Sequence, residues 1–285
     1  EIIEQAAETI EDAVEQAAEA IEKDANIKIN GRSDQRLRGS GNIITESRIV
    51  PADYHAVVTS RAVKVTLENR EGTTAIIRAD DNVMPYIKIE NNNGVLKIKI
   101  DDEIRTINSM TAEVRLPKST NISRLEATSA SHIDVDYTIQ SAKLTVKASS
   151  AADINISKAD VTHCNIHASS AAKVIGSIKA TECNINATSA ANAKIQILAN
   201  TCYADASSAA DITLAGEAGT LYLKASSAAD INALSTKALV STSADASSGA
   251  NIKVNAGKAL TADASSGGTV AYKSEHDVNI HIKKS

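Results

Sequence analysis

Residues Ala206 to Ile231 read ASSAADITLAGEAGTLYLKASSAADI, and this stretch decides the fold. It opens and closes on one phrase, Ala-Ser-Ser-Ala-Ala-Asp-Ile, whose first Ala recurs after 19 residues (225 − 206). Between the two copies, Leu221, Leu223 and Ala225 alternate with Tyr222 and Lys224. Alternation of period two places apolar side chains on one face of a strand and polar ones on the other.

The same phrase recurs on both sides. It reads Ala127-Thr-Ser-Ala-Ser-His-Ile, Ala148-Ser-Ser-Ala-Ala-Asp-Ile, Ala168-Ser-Ser-Ala-Ala-Lys-Val, Ala187-Thr-Ser-Ala-Ala-Asn-Ala, Ala246-Ser-Ser-Gly-Ala-Asn-Ile and Ala264-Ser-Ser-Gly-Gly-Thr-Val. In all eight copies the first Ala is spaced by 21, 20, 19, 19, 19, 21 and 18 residues. Such a period fits a leucine-rich repeat or a β-helix. The several Leu and the Asn per unit of a leucine-rich repeat are absent. The expected fold is therefore all-β: a right-handed parallel β-helix of about 20 residues per coil.

Parity assigns the faces. Counted from the first Ala, positions −4, −2 and 0 point inward, as in Leu144/Val146/Ala148 and Cys183/Ile185/Ala187. Positions −3 and −1 point outward, as in Asn165/His167, Asn184/Asn186, Tyr203/Asp205 and Tyr222/Lys224. After the phrase, positions +6 and +8 are apolar (Ile154/Ile156, Ile212/Leu214) and +5 and +7 are mostly polar. Each coil is expected to hold two strands joined at a Ser/Ala corner, with a variable turn elsewhere. Small residues suit an inward corner where copies stack at about 4.8 Å, and Ser hydroxyls can satisfy turn backbone groups. Eight coils at that spacing make a rod of about 35–40 Å.

Composition agrees with a narrow core. The 285 residues include six Tyr but no Phe or Trp, so Ile, Val, Leu and Ala must fill the interior. The net charge is −5 and no Lys/Arg run tracks a phosphate backbone, which disfavours nucleic acid as a partner. No stretch of 18 apolar residues spans a membrane. The chain starts at Glu1 rather than Met, as expected of a mature or trimmed form whose missing start held a signal or a lipid-attachment Cys.

The expected organisation is a helix over 1–25, a β-rich part over 26–120 and the repetitive β-helix over 121–285. Ile3, Ala7, Ile10, Val14, Ala17 and Ile21 form the apolar stripe of an amphipathic helix. Residues 1–23 would either cap an open β-helix end or join subunits as a coiled coil. Over 26–120, strands are expected at Asn42–Arg48, His55–Glu68, Thr74–Ala79, Tyr86–Glu90, Val95–Ile100 and Ala112–Leu116. Asn91-Asn-Asn-Gly94 is a hairpin turn signal. This part continues the sheets or closes one end.

Few residues suggest chemistry. A row of serine nucleophiles is excluded because no base recurs beside them. Cys164, Cys183 and Cys202 share position −4 and read as a core ladder. His167 faces away from Cys164, so the two cannot share a metal ion. Asp211 and Asp230 occupy one outward column in adjacent coils, a spacing loosely compatible with a retaining glycosidase. No catalytic residue, metal site or cofactor is assigned. The candidate binding residues are Tyr203 and Tyr222, stacked in one outward column, with His167, Asn186, Asp205 and Lys224 beside them; exposed Tyr on a flat polar sheet can stack on a sugar ring or dock a protein.

Gly39-Ser-Gly-Asn-Ile-Ile-Thr-Glu-Ser-Arg48, Val50-Pro-Ala-Asp-Tyr54, Arg61-Ala-Val-Lys-Val65, Ala79-Asp-Asp-Asn-Val-Met-Pro-Tyr-Ile-Lys88 and Gly94-Val-Leu-Lys-Ile98 resemble the opening of the auto-transporter adhesin head GIN domain family. The Ala-Ser-Ser-Ala-Ala-Asp phrases are similar to its Ser/Gly-rich repeats. The likeness covers about residues 39–285. Departures are Tyr54 where the family usually has Phe, Ser and Ala at corners where Gly is common, and the N-terminal helix. The resemblance implies an exported cell-envelope protein of Bacteroidetes-type bacteria, with no catalytic motif to carry over. The expected function is a non-enzymatic adhesin or binding scaffold with a glycan or a host or cell-surface protein as partner. The alternatives are a polysaccharide-active enzyme and a purely structural or assembly protein.

Overall fold

A computed structural model of the chain describes residues 28–29, 32–33, 36–274 and 277–284. The helix expected over 1–25, and with it the oligomer contact expected through 1–23, lies outside the described residues.

The repeats stack as a β-solenoid. Ala127, Ala148, Ala168, Ala187, Ala206, Ala225, Ala246 and Ala264 form one line of in-register parallel partners. The strand content per coil differs from expectation. Between Ala127 and Ala246 each stretch from one corner to the next is a single bent ribbon, as in Asn192–Ala206 and Asp211–Ala225, whereas the coil after Ala246 splits into Asn251–Asn255 and Ala259–Ala264 with a turn between them, as expected. The middle coils need no separate second turn, because the ribbon can bend by shifting parity while the ladder between coils continues. In Asn192–Ala206 the buried residues step by two from Ala193 to Ala199, then by three to Cys202. That slip folds the ribbon around the core without breaking the ladder.

The Ser/Ala corner has a different physical basis from the one expected. Its tip faces solvent: Ser208 and Ala209 are exposed, while Ala206 and Ala210 on either side are buried. The two tip residues both take positive φ, from Ser129/Ala130 (56° and 57°) to Ser227/Ala228 (53° and 59°). The last two corners use Ser248/Gly249 and Ser266/Gly267. A Cβ in this left-handed region costs roughly 1 kcal/mol or more per residue. Inward crowding therefore bears on the buried Ala206 and Ala210 of the corner and not on its two exposed tip residues. Inter-coil hydrogen bonds offset the strain. The Ala151 N–H donates to the Ser170 carbonyl at 2.9 Å, and the Ala190 N–H to that of Ser208 at 3.0 Å. Within the turn, the Ala152 N–H donates to the Ser149 carbonyl at 3.2 Å. Some hydroxyls pair between coils, as Ser207 Oγ does with Thr188 Oγ1 at 3.2 Å, and Ser131 Oγ accepts from the Thr128 N–H of its own turn at 3.1 Å.

This assignment makes a test. Ala209→Gly should raise stability by up to about 1 kcal/mol, and Ala209→Val should lower it by about 2 kcal/mol. Because Ala209 is exposed, packing does not confound the pair. Denaturant midpoints that move equally for both variants would remove the strain argument.

A ninth corner precedes the eight. The strand expected over His55–Glu68 is broken into Ala56–Thr59 and Lys64–Leu67. Arg61 and Ala62 take φ of 61° and 59° between them. Thr59 pairs with Ala127, and the Ala62 N–H donates to the Ser129 carbonyl at 3.0 Å. The break is invisible to repeat matching because Ser60-Arg-Ala62 replaces the phrase. Arg61 is accommodated because its guanidinium reaches the Ile104 carbonyl.

Beyond that corner the pairing turns antiparallel and ends the solenoid. Ala112–Leu116 pairs in parallel with Lys64–Leu67 and antiparallel with Thr74–Asp80, which pairs antiparallel with Ile43–Ile49. On the other side Val95–Ile100 pairs in parallel with Ala56–Thr59 and antiparallel with Ile87–Asn92. The turn between these last two strands is the expected hairpin, with Asn93 and Gly94 at φ 49° and 78°. Two buried tyrosines close the junction. The Tyr54 hydroxyl donates to the Pro117 carbonyl, which explains a Tyr where Phe would fit. Burial pushes the Tyr137 phenol up to about 12, and its hydroxyl donates to the Ser119 carbonyl at 3.2 Å.

The core is the expected narrow one. Cys164, Cys183 and Cys202 are free, fully buried and in register, in one column with Leu144 and Leu221. Hydrogen bonding with Cys164 and then Cys202, together with burial, pushes the Cys183 thiol well above its ordinary range.

Candidate functional site

The outward columns at −3 and −1 lie on a sheet whose register is unbroken through the middle coils. One column runs Thr145, Asn165, Asn184, Tyr203, Tyr222, and the next runs Lys147, His167, Asn186, Asp205, Lys224. In-register parallel pairing puts like side chains directly above one another, which is why two consecutive Tyr at −3 must stack. The Tyr203 and Tyr222 rings lie 4.8 Å apart between centroids with 9° between planes. They are 41% and 43% exposed, so the pair presents ring edges and phenol groups to solvent.

Beside the pair lies a shallow depression of about 320 Å³ bounded by Asn165, His167, Asn184, Asn186, Tyr203 and Asp205. Of the six residues singled out from the sequence, Tyr203, His167, Asn186 and Asp205 line this depression. Tyr222 and Lys224 sit one coil further on. Asn184 Nδ2 donates to Asn165 Oδ1 at 3.1 Å and to Glu182 Oε1 at 2.9 Å, which fixes the amides at one end. The arrangement offers an aromatic wall beside amide, imidazole and carboxylate groups. It places no nucleophile beside a base, and the groups it does present are of the kind used in recognition.

The other sequence candidates fall elsewhere. Asp211 and Asp230 are in-register neighbours in an exposed column, and Asn251 Nδ2 donates to Asp230 Oδ1 at 2.9 Å. Lys194 and Lys253 line the same depression as the two carboxylates. Among the described residues, no three His, Cys, Asp or Glu side chains group as metal ligands. Sequence reading missed a network on the first coils. His132 Nε2 lies 2.8 Å from Asp134 Oδ1, and Asn155 Nδ2 donates to the same oxygen at 2.9 Å. Although burial works to raise it, hydrogen bonds from Asn155 and His132 hold the Asp134 carboxyl below its ordinary range.

Two of the motifs that carry the family resemblance hold each other in place. Asp80 is buried and accepts from the Gly41 N–H at 2.7 Å and the Thr111 N–H at 2.6 Å. Asp81 accepts from Asn42 Nδ2 at 2.8 Å and from Ser40 Oγ at 2.5 Å. Thus Gly39–Asn42 and Asp80–Asn82, far apart in sequence, lock together at the capped end.

A family model described as "Putative auto-transporter adhesin, head GIN domain" matches residues 53–177 and again residues 165–275. No curated protein matches the chain. Among solved structures, the chain is similar to a "putative adhesin" from Parabacteroides distasonis, with a TM-score of 0.65 and 18% identity over 88% of this chain and 98% of that one. It is also similar to a "putative adhesin" from Parabacteroides merdae, with a TM-score of 0.64 and 13% identity over 88% and 99% of the two chains. A "putative lipid binding protein" from Parabacteroides distasonis aligns with a TM-score of 0.58 and 16% identity over 88% and 95%. At these identities the likeness shows the fold.

Proposed function

The chain belongs to the family described as "Putative auto-transporter adhesin, head GIN domain", and from that membership we propose that it is a non-enzymatic β-solenoid of the bacterial cell envelope that binds a glycan or a cell-surface protein. The observation that carries this reading is the stacked pair Tyr203–Tyr222 beside a shallow depression edged by His167, Asn186 and Asp205. An exposed aromatic pair on an otherwise polar sheet needs no such arrangement for stability, since Thr or Asn fill the same column in neighbouring coils. A ring edge or face can pack on a sugar or an apolar side chain while Asn186, Asp205 and His167 supply hydrogen bonds. Lys224 extends the polar rim. The adhesin description of the family supports an exported, envelope setting.

The test is a glycan and surface-protein array probed with the whole chain, followed by affinity measurement on the best ligand. The double variant Y203A/Y222A should lose at least about tenfold in affinity, since buried Tyr anchors often dominate an interface. Its far-UV spectrum should not change, because both rings are exposed. Unchanged affinity would remove the platform. Turnover of a polysaccharide that is lost in D211N/D230N would replace the adhesin reading with the enzymatic one.

A further inference from the structure

A second surface feature lies around the ribbon bend, away from the tyrosines. Three depressions share walls there. One of about 460 Å³ beside the capped end includes Lys118 and Ser157. Ser157 also borders a second of about 430 Å³, which shares Ser177 and Gln196 with a third of about 500 Å³. The three form a continuous groove along the solenoid axis from Lys118 to Lys237. Its floor follows the register, since Ser177, Gln196, Ala215 and Ser235 are successive in-register partners.

The charge of the groove opposes that of the chain. The protein carries −5 overall, yet five lysines line the groove (Lys118, Lys158, Lys179, Lys194, Lys237) against two carboxylates, Asp136 and Glu217. Lys118 pairs with Glu71 at 2.7 Å and Lys179 with Asp160 at 2.8 Å. Lys158, Lys194 and Lys237 are exposed and have no ion pair among the described residues. Leu198, 49% exposed, stands between Lys179 and Glu217 in the same row and offers an apolar contact.

We infer that this groove binds an extended acidic polysaccharide, whose anionic groups pair with Lys158, Lys194 and Lys237 while its hydroxyls meet Ser157, Ser177 and Gln196. The groove is long and open, which suits a linear polymer rather than a small molecule. The strands under it are hydrogen-bonded on both sides, so a peptide finds no free edge to extend. The depression that holds Lys158, Lys179 and Lys237 and the one that holds Lys194 have no aromatic side chain, and Tyr137 beside Lys118 is buried, so bases have nothing to stack on. A glycan brings its own hydrogen-bonding groups and a charge that recurs along its length, as the groove's cations recur along the solenoid.

Binding of the whole chain to polygalacturonate, to a sulfated glycosaminoglycan, to neutral dextran and to polyglutamate tests this. The expected result is binding to the uronate or the sulfated polymer, weakened by salt, with dextran and polyglutamate at least tenfold weaker. K158Q/K194Q/K237Q should lose at least tenfold. The charge-matched variant K143Q/K173Q/K258Q and the platform variant Y203A/Y222A should retain binding, which separates this groove from the tyrosine site. Binding to neither acidic polysaccharide, equal binding of polyglutamate, or equal loss in the two lysine variants would overturn the proposal.

Discussion

Gly216→Ala is expected to lower the thermal midpoint by about 10 °C, from a destabilisation of about 3 kcal/mol or more in a chain of this length. Gly216 sits inside Asp211–Ala225 at φ 110°, a backbone conformation that L side chains rarely adopt. A Cβ there would lie 2.2 Å from the Ile197 carbonyl oxygen of the preceding coil. That oxygen is part of a backbone rung and cannot swing away, so the methyl must push the two coils apart. Two controls separate strain from collision. Gly72 has φ 123° and nothing within 4 Å of a built Cβ, so Gly72→Ala bears the strain alone. Gly176 has no positive φ and its built Cβ would be 3.4 Å from Ile156 Cβ, so Gly176→Ala should be nearly neutral. The expected order of midpoints is Gly176→Ala above Gly72→Ala above Gly216→Ala. Hydrogen exchange should localise the Gly216→Ala loss to coils between Ala193 and Thr236, because each coil contacts chiefly its neighbours. A Gly216→Ala midpoint equal to that of Gly72→Ala would show that the inter-coil approach is looser than described.

The second large effect is expected at Asp80. Its carboxylate, 2% exposed, receives the N–H groups of Gly41 and Thr111. Hydrogen bonds to a charged acceptor are worth roughly 1.5–3 kcal/mol each, and truncation leaves both donors without a partner. Asp80→Ala should therefore cost about 3 kcal/mol or more. Asp80→Asn should cost nearly as much, since an amide nitrogen would face one of the two N–H donors. The loss should be local. The antiparallel segment Ile43–Ile49 and the loop before it should become open to limited proteolysis while the solenoid from Ala127 onward keeps its protection. Amide exchange at Gly41 and Thr111 is the direct readout. If those two amides keep wild-type protection in Asp80→Ala, the carboxylate is not what holds the capped end.

Much of the fold was legible because a solenoid repeats its own rule. Eight copies of one phrase announced the coils, and strict alternation told Leu221 from Tyr222 and Cys183 from Asn184. The Tyr203–Tyr222 stack could be anticipated from period alone, because equal positions in adjacent coils become neighbours. What failed had a common cause. Repeat matching needs similar letters, whereas the corner needs only a backbone at positive φ and partners in the next coil. Ser60-Arg-Ala62 meets that requirement without the phrase, so the ninth corner escaped notice. Likewise the continuous ribbon of the middle coils was hidden because a parity slip such as that between Ala199 and Cys202 resembles ordinary variation in the sequence.

Local periodicity and side-chain size are enough to set the stacking, the inward and outward columns and the narrow Ile/Val/Leu/Ala core. Folding in three dimensions placed the Ser/Ala tips in solvent in strained turns and let Asp80 lock Gly41 to Thr111. It also decided that Lys158, Lys194 and Lys237 line one groove. These features depend on backbone dihedrals and on where the ribbon bends, and both are set by hydrogen bonding between coils rather than by any residue's own preference.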